Sequence, residues 1–286
     1  MTTDLFTSIT PEEREIFLKG YMEHLQRRDG EPDLTSRLFS VREHFFQDLE
    51  QHPIRRSGPS VVDPTIFGRN EKRYSPESGL DPATLWSLAV AKTNRAERDG
   101  VEYALARINP ATRRVDDPLS YIEIEEFYHT RVLKDALDVV GLEMHYCPPP
   151  KMTRFLTRSM FYVPKPIANV LILCSEVVGV AGFRLLADKA QELFVDQPEP
   201  LRRIDELFQQ ILVDEVGHVH YARSQLGPVR LGMAKAMLPM ITRYLLGDIP
   251  EFELLFGRDK LMDAVLTLDV DSTVATYPDR FVPSYT

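Results

Sequence analysis

Two short motifs in the sequence place a carboxylate and an imidazole at helical spacing. In the first, His129 follows Glu126 by three residues, and in the second His218 follows Glu215 in the same way. On an α-helix this spacing puts both side chains on one face about one turn apart, where both can ligate the same metal. One Glu-x-x-His motif is weak evidence because it arises by chance. Two copies on long apolar helices predict a metal centre that both helices share.

A third carboxylate lies in an otherwise apolar segment. Glu176 is the one acidic residue between Ile167 and Leu186. Burying an unpaired carboxylate costs several kcal/mol unless a cation offsets it, so an isolated glutamate in such a segment indicates a bound cation or a partner. In four-helix bundles that bind two metal ions, two helices each supply Glu-x-x-His and the other two each supply one glutamate. Glu176 fits one of these single positions.

The other single glutamate is either Glu97 or Glu102. A mostly apolar stripe surrounds Glu97 at helical spacing, and its members are Val90, Ala96, Val101, Ala104 and Ile108. Mostly charged neighbours surround Glu102, namely Arg95, Arg98, Asp99 and Ala106. A ligand must face the interior of the bundle, and an apolar stripe marks the interior face. The pattern therefore favours Glu97 as the ligand, with Glu102 as the alternative.

Helical periodicity, bounded by Asp-Pro, Asn-Pro and Gly-Pro signals, indicates the elements that must position these residues. Strand-like alternation is almost absent, so the sequence predicts an all-α protein. The four long helical patterns span residues 82–108, 117–140, 165–195 and 199–226. Each of them carries one of the predicted ligand positions, as a four-helix metal centre requires.

Further helices are expected on both sides of this core. Thr10 and Pro11 have the features of a helix start, and a second amphipathic segment follows at 34–49. Repeated Pro and Gly at 52–82 predict a long loop or wrapping arm. Two C-terminal helices are expected at 229–246 and 259–268. The chain is thus divided into N-terminal helices and arm (1–81), a four-helix bundle (82–227) and packed C-terminal helices (228–286), all in one structural domain.

Composition restricts the partners and the compartment. The chain has 286 residues and a net charge of −9, which argues against nucleic acid or an anionic membrane surface as the main partner. Its two cysteines, Cys147 and Cys174, are too few for a disulfide framework or a four-cysteine zinc site. The N-terminus lacks the apolar core of a signal peptide. A cytoplasmic location is therefore expected.

The predicted ligand set resembles that of the ferritin-like di-iron carboxylate superfamily over residues 82–226. The six residues that carry the resemblance are Glu97, Glu126, His129, Glu176, Glu215 and His218. The resemblance implies a ferritin-like four-helix bundle that holds two iron ions and uses O2 as co-substrate. Manganese accepts the same ligands, so a mixed Mn/Fe pair is an alternative.

The same resemblance implies roles for four acidic residues. Glu125 and Asp214, which precede the two Glu-x-x-His motifs, would each orient the histidine of the opposite motif, Glu125 acting on His218 and Asp214 on His129. Glu176 and Glu215 would be the catalytic carboxylates, those that change between bridging and terminal binding.

Departures from the family leave the subfamily unassigned. Val180 stands where the hydroxylases of this superfamily commonly carry threonine, and Ile211 stands where the arylamine N-oxygenases carry an extra histidine. Small residues follow Glu176 at Gly179, Ala181 and Gly182. These small side chains predict space for an organic substrate beside the metals.

The expected activity is that of an oxidoreductase of the monooxygenase type. Its substrate would be a small or carrier-linked organic molecule that is hydroxylated, N-oxygenated or desaturated. Electrons would come from an external reductase or ferredoxin, because no flavin or nicotinamide fingerprint is visible. The alternative is a ferritin-like ferroxidase or a ligand-binding metal oxidase, and a homodimer is compatible with either. A non-enzymatic bundle whose carboxylates pair with Arg95 or Arg184 is the third interpretation.

Overall fold

The computed structural model describes residues 4–54, 62–74, 76–107 and 113–285, and these are mainly helical. The fold is all-α, as predicted. In the described residues the helices are α1 (Pro11–Asp29), α2 (Ser40–Gln51), α3 (Pro64–Glu71), α4 (Pro82–Leu105), α5 (Pro118–Val139), α6 (Lys151–Ser159), α7 (Lys165–Leu193), α8 (Pro198–Ser224), α9 (Pro228–Gly247), α10 (Pro250–Phe256), α11 (Arg258–Leu266) and α12 (Val270–Thr273). Two short strands, β1 (Pro32–Asp33) and β2 (Leu38–Phe39), pair antiparallel.

Helices α4, α5, α7 and α8 pack side by side and form a helical bundle. All four begin and end within three residues of the predicted limits. Local chemistry sets the starts of two of them: Asp81 accepts from the Thr84 amide before Pro82, and Asp117 accepts from the Leu119 amide before Pro118. Side-chain capping and proline at the first turn are short-range signals, so the sequence alone predicted these ends.

Trp86 joins three helices of the bundle. Its fully buried indole donates a hydrogen bond to the Leu186 carbonyl of α7 at 2.9 Å. Its ring packs against Phe194, which follows α7, and Phe208 of α8, with centroid distances of 5.2 and 6.3 Å. A buried tryptophan combines a large apolar area with one polar group that needs a partner. Trp86 thus fixes α4 against both α7 and α8.

The N-terminal region differs in two places from the sequence prediction. The second helix begins at Ser40 rather than near residue 34, because β1 and β2 pair and Asp33 accepts backbone hydrogen bonds in the turn between them. The predicted loop at 52–82 contains α3, which Asp63 caps before Pro64. Residues 55–61 and 75 of that segment lie outside the described residues. Proline at the first helical position explains why a Pro-rich stretch can still start a helix.

Besides α3, three helices outside the bundle were not predicted, α6, α10 and the short α12. Helix α10 packs on α4, where Glu251 forms an ion pair with Lys92. Both side chains are almost fully buried, and burial raises the pKa of Glu251 while it lowers that of Lys92. Burial therefore disfavours each charge alone, so the two residues are tolerated at this contact of α10 and α4 only as a pair.

Helix α7 is long and apolar enough to cross a membrane by length and composition alone. In this structure, 61% of the apolar 18-residue stretch within α7 is buried inside the protein. A mostly buried apolar helix is typical of the core of a soluble protein. The structure is compatible with a soluble protein for this reason.

Removing one partner of the Lys92–Glu251 pair tests its role. Lys92→Met leaves a buried carboxylate without its cation, and we expect it to lower the free energy of unfolding by about 3 kcal/mol in urea titrations. The double variant Lys92→Met/Glu251→Leu buries no charge, and we expect it to return to within about 1 kcal/mol of the wild type. A double variant as unstable as Lys92→Met would contradict this explanation.

Candidate metal centre

The bundle brings all six predicted ligands to one place. One group is formed by Glu126, Glu176, Glu215 and His218, and a second by Glu97, Glu126 and His129, with the ligand atoms of each group within 4.8 Å of one another. The alternative residue Glu102 is exposed and pairs with Arg98 at 2.7 Å. The apolar stripe around Glu97 thus distinguished the residue that joins the cluster.

The two imidazoles are oriented by crossed hydrogen bonds. Nε2 of His129 lies 3.1 Å from Asp214, and Nε2 of His218 lies 2.9 Å from Glu125. These are the two contacts that the resemblance implied. A carboxylate on Nε2 fixes the proton on that nitrogen and leaves the Nδ1 lone pair free to bind a metal. The Nδ1 atoms of both histidines therefore face the centre of the bundle, where each can act as a metal ligand.

Inner carboxylates face these Nδ1 atoms. Nδ1 of His218 is 3.1 Å from Glu126 and 3.8 Å from Glu176, and Nδ1 of His129 is 3.2 Å from Glu215 and 3.6 Å from Glu126. The two Glu126 oxygens thus face different histidines. Glu215 also lies near both histidines, because it contacts His129 and belongs to the ligand group that contains His218. Glu126 and Glu215 therefore lie between two candidate metal positions. Glu97 is a ligand at the first position, and Glu176 is a ligand at the second.

An outer layer of charge surrounds the crossed hydrogen bonds. Arg42 contacts Asp214 at 2.5 Å, Asp29 at 2.6 Å and Glu125 at 3.3 Å, and Arg28 forms a second ion pair with Asp214. These arginines belong to α1 and α2 and were not predicted as site residues. They lack any spacing relation to the motifs, because Arg42 and Asp214 are 172 positions apart. Only the tertiary structure shows that the N-terminal helices complete the site.

Arginine does not neutralise the inner glutamates in the described part of the chain. Arg95 pairs with Glu71 at 2.5 Å, and Arg184 is 4.0 Å from Asp188. The ion pairs of Glu126, Glu176 and Glu215 that the described residues make are with His129 and His218. The geometry therefore gives no support to the third interpretation, a bundle held by carboxylate–arginine pairs.

The pKa shifts show how poorly the inner cluster tolerates its own charge. Burial and the neighbouring carboxylates raise the pKa of Glu97 well above its ordinary value, and burial raises that of Glu215 to about 8. Burial alone would lower the pKa of His129, but hydrogen bonds to Asp214, Glu126 and Glu215 outweigh it and raise the pKa. Burial is thus the main reason why the two glutamates favour the neutral form, and the surrounding carboxylates are the reason why His129 favours the charged form.

The donor set fits two metal ions. Four glutamates and two imidazoles match the carboxylate-rich sites that hold two irons or manganese in helical bundles. Both Nδ1 atoms are buried without a hydrogen-bond partner among the described residues, although each faces carboxylate oxygens. A cation between the lone pair and the carboxylates would satisfy both at once. These residues thus have the composition and orientation that two such ions need.

The structure overturns one expectation about space beside the centre. A Cβ at Gly179 would lie 3.1 Å from Oε2 of Glu215, and a Cβ at Gly182 would lie 3.7 Å from the Phe252 ring. Ala181 and Val180 are buried. The small residues therefore accommodate the Glu215 carboxylate and helix α10, and they do not line an open substrate space.

The centre is closed on one side and partly open on the other. The side chains of Glu125 and Asp214 are 1% and 0% exposed, whereas those of Glu126 and Glu176 are 18% and 17% exposed. Solvent thus reaches Glu126 and Glu176 of the inner carboxylates, whereas the outer carboxylates are closed to it.

Tyr21 is another buried group that the sequence did not single out. Its hydroxyl packs against Gly217, where an added Cβ would lie 2.7 Å away, and it has no hydrogen-bond partner in the described part of the chain. Burial and the nearby Glu125 raise the pKa of Tyr21 well above its ordinary value. Gly217 is thus required beside His218 because it leaves room for this ring.

The arginine layer can be tested by comparing two substitutions. Arg42→Met leaves Asp29, Glu125 and Asp214 buried with one cation fewer, and we expect it to lower the free energy of unfolding by about 4 kcal/mol in urea titrations. Arg131→Met is the control, since Arg131 is 29% exposed and pairs with Glu43 and Glu50 near the surface. We expect less than about 1 kcal/mol there. Equal losses would contradict the importance of the buried layer.

The raised pKa values predict how the metal-free protein responds to pH. The pKa values of Glu215, about 8, and Glu125, about 7, exceed those of unfolded glutamate, so the folded state binds more protons between about pH 5 and pH 8. Stability must then fall as pH rises through this window, and the raised histidine pKa values act in the same direction. We expect chelator-treated protein to unfold at lower urea concentration at about pH 8 than at about pH 6. Unfolding at a higher urea concentration at about pH 8 than at about pH 6 would contradict this prediction.

Comparisons with known proteins give no further information on this site. No protein-family model, no curated protein and no solved structure matches the chain. The interpretation of the site therefore rests on the positions of its six ligands and on the crossed hydrogen bonds that orient them.

Proposed function

We propose that this protein is a non-haem di-iron oxidoreductase that uses O2 to oxidise a small or carrier-linked organic substrate. A monooxygenase is the reaction type that best suits the resemblance to the ferritin-like di-iron carboxylate superfamily, with hydroxylation, N-oxygenation or desaturation as the outcome. A Mn/Fe pair remains the alternative metal content, since it takes the same ligands. Electrons would come from an external reductase or ferredoxin.

The observation that carries the proposal is the orientation of the two histidines. Each Nε2 is held by an outer carboxylate, so each Nδ1 faces inner carboxylates without a hydrogen-bond donor between them among the described residues. Without a metal, these contacts are favourable only when each imidazole binds a second proton, which is why the pKa values of both histidines are raised. A metal-binding site turns the same contacts into ligand bonds.

The ligand residues would divide between two ions. Glu97 with His129 and Glu176 with His218 supply one set each, and Glu126 and Glu215 stand between them. Two irons held by these residues, once reduced by the external donor, would supply the electrons and the binding site that O2 needs for activation. Glu176 and Glu215 are the proposed catalytic carboxylates, and the partial exposure of Glu176 suits a ligand that changes its position.

The surrounding residues hold the centre in its reactive arrangement. Glu125 and Asp214 fix the tautomer and ring angle of the histidines, and Arg42 fixes both carboxylates. This layer also excludes water from one side, because its members are almost fully buried. Substrate and O2 would approach past Glu126 and Glu176. The two cysteines are free, which suits the cytoplasmic location that belongs to the same proposal.

The second candidate function is a ferroxidase or a ligand-binding metal oxidase without organic turnover. It shares the ligand set, and the packing of Gly179 and Gly182 favours it, because no substrate space opens there. Against it stand the N-terminal and C-terminal helices, which add to the bare bundle that a ferritin cage uses. Size-exclusion chromatography separates the two, since a 24-subunit particle would support the ferroxidase and a monomer or dimer the oxygenase.

Metal binding can be tested with a matched pair of glutamates. We expect about two equivalents of iron per chain after loading with Fe(II), measured by metal analysis after desalting. Glu97→Ala should weaken the binding of one ion by about tenfold or more, whereas Glu102→Ala, an exposed residue on the same helix, should leave binding unchanged. Metal-free wild type after loading, or equal losses in the two variants, would contradict the assignment.

Reaction with O2 separates an oxygenase or ferroxidase from an inert metal site. The reduced, iron-loaded protein should consume O2 with a change in visible absorbance at a rate well above that of free Fe(II) in the same buffer. Glu125→Gln, which keeps the size of the side chain but weakens its hold on His218, should slow this reaction by about 10- to 100-fold. Oxidation no faster than in buffer would contradict the proposal, even with both ions bound.

A further inference from the structure

Exposed apolar side chains are concentrated around helix α6. Nineteen large apolar side chains are exposed in the described part of the chain, and seven of them lie between positions 146 and 172. These seven, which with the intervening cations form what is here named the α6 surface, are Tyr146, Met152, Phe155, Phe161, Tyr162, Ile167 and Ile172. Phe155, Phe161 and Tyr162 lie together in space, because each is placed beside Tyr103. Single exposed apolar residues are ordinary, but a cluster of this kind marks an interaction site.

The same segment is basic in an otherwise acidic protein. Residues 144–175 contain four Lys or Arg and no Asp or Glu, although the whole chain has a net charge of −9. Lys151 and Lys165 are exposed. Arg154 and Arg158 share a single carboxylate, Asp99, at 3.3 and 2.7 Å. The net charge of the protein therefore conceals a local positive surface, and this surface coincides with the exposed apolar cluster.

A shallow depression of about 400 Å³ opens beside α6. Its lining includes Tyr103, Lys151, Arg154, Phe155, Arg158 and Tyr162. The hydroxyls of Tyr103 and Tyr162 lie 3.0 Å apart, and the Arg107 guanidinium stacks 3.7 Å above the Tyr103 ring. Cations and hydroxyl groups around an open depression suit an anionic group such as a phosphate. The apolar side chains beside it would contact whatever carries that anion.

We propose that the α6 surface docks on an anionic lipid bilayer. Short amphipathic helices that lie at the membrane interface combine projecting apolar side chains with Lys and Arg that meet anionic head groups. Met152 and Phe155 are 63% and 67% exposed on α6, and Tyr162 is 71% exposed in the turn that follows. Aromatic side chains such as that of Tyr162 are typical of the boundary between a membrane and water.

Two other occupants fit the surface less well. A second copy of the chain in a two-fold dimer would bring the same basic surface against itself, which like charges oppose. A specific protein partner usually needs about 800 Å² from each side, whereas α6 has nine residues and a length of about 13 Å. Projecting side chains also need no preformed pocket in a lipid interface. Charge and shape together favour the bilayer.

The α6 surface is fixed to the helix that carries Glu97. Asp99 of α4 holds Arg154 and Arg158, and a Cβ at Gly100 would lie 3.6 Å from Thr157. The docking surface is therefore rigid with respect to the bundle, so docking would hold the whole protein at the lipid surface. This inference does not rest on the proposed function, because lipid binding needs no metal.

Vesicle flotation tests the inference directly on the full chain. We expect the protein to float with vesicles made of equal parts phosphatidylcholine and phosphatidylglycerol, and to bind vesicles of phosphatidylcholine alone at least about tenfold more weakly. Raised salt should weaken the binding, because exposed charges are screened. Failure to bind the anionic vesicles would overturn the proposal, and so would equal binding to both compositions.

Two pairs of variants separate this surface from general stickiness. Lys151→Glu/Lys165→Glu and Met152→Ser/Phe155→Ser should each weaken vesicle binding by about tenfold or more. The controls make the same changes elsewhere: Lys19→Glu/Lys260→Glu alters two other exposed lysines, and Val229→Ser/Met240→Ser removes two exposed apolar side chains of α9. Circular dichroism checks the fold of all four. Equal losses in the variants and their controls would overturn the proposal.

A fluorescent reporter distinguishes insertion from charge contact. The single tryptophan, Trp86, is fully buried, so Phe155→Trp adds one exposed indole. We expect the emission of Phe155→Trp to shift to shorter wavelength on anionic vesicles, while the wild-type emission stays constant. Flotation without this shift would show that only the charges touch the lipid surface, and it would overturn the docking of the apolar side chains.

Discussion

The crossed hydrogen bonds between outer carboxylates and histidines are the constraint on which the rest of the structure depends. Asp214 holds His129 and Glu125 holds His218, so the two Glu-x-x-His helices, α5 and α8, orient each other. The arrangement gathers four inner glutamates around the two histidines, and it places Glu125, Asp214 and Asp29 against the guanidinium groups of Arg28 and Arg42. If all seven carboxylates are ionised, the two permanent cations leave five negative charges in a largely buried volume, and the raised pKa values show that protons offset part of this charge in the metal-free protein. Such a cluster needs further cations, and two divalent metals would supply four.

This deficit explains why the N-terminal helices are part of the site. The four-helix bundle supplies every inner ligand, yet it does not supply a permanent cation for Asp214. Arg28 and Arg42 reach that carboxylate from α1 and α2, and Asp29 balances Arg42 in turn. Removing these helices would expose and unpair the outer carboxylates. The N-terminal segment is therefore an electrostatic component of the metal centre as well as a cover.

The sequence predicted the local features of this site and missed the nonlocal ones. Spacing on a single helix identified Glu126 with His129 and Glu215 with His218, and an apolar stripe selected Glu97, because helical geometry fixes these relations within a few residues. Arg42 could not be found, since its partners lie 13, 83 and 172 positions away. Gly179 was correctly recognised as small but wrongly assigned to a substrate, because the sequence does not show which side chain fills the space beside a glycine. Helix α10 was missed for a related reason, since the burial of Lys92 and Glu251 depends on their pairing.

The division between a closed and an open side follows from the same charge distribution. On the closed side, the fixed guanidinium groups of Arg28 and Arg42 pair permanently with the outer carboxylates. On the open side, Glu126 and Glu176 remain partly exposed, and no arginine or lysine pairs with them in the described part of the chain. Their charge can be balanced only by exchangeable cations, which are protons or metal ions. Because the permanent cations are confined to the outer layer, the partly exposed carboxylates Glu126 and Glu176 are the ligands of the centre that an incoming cation can meet first.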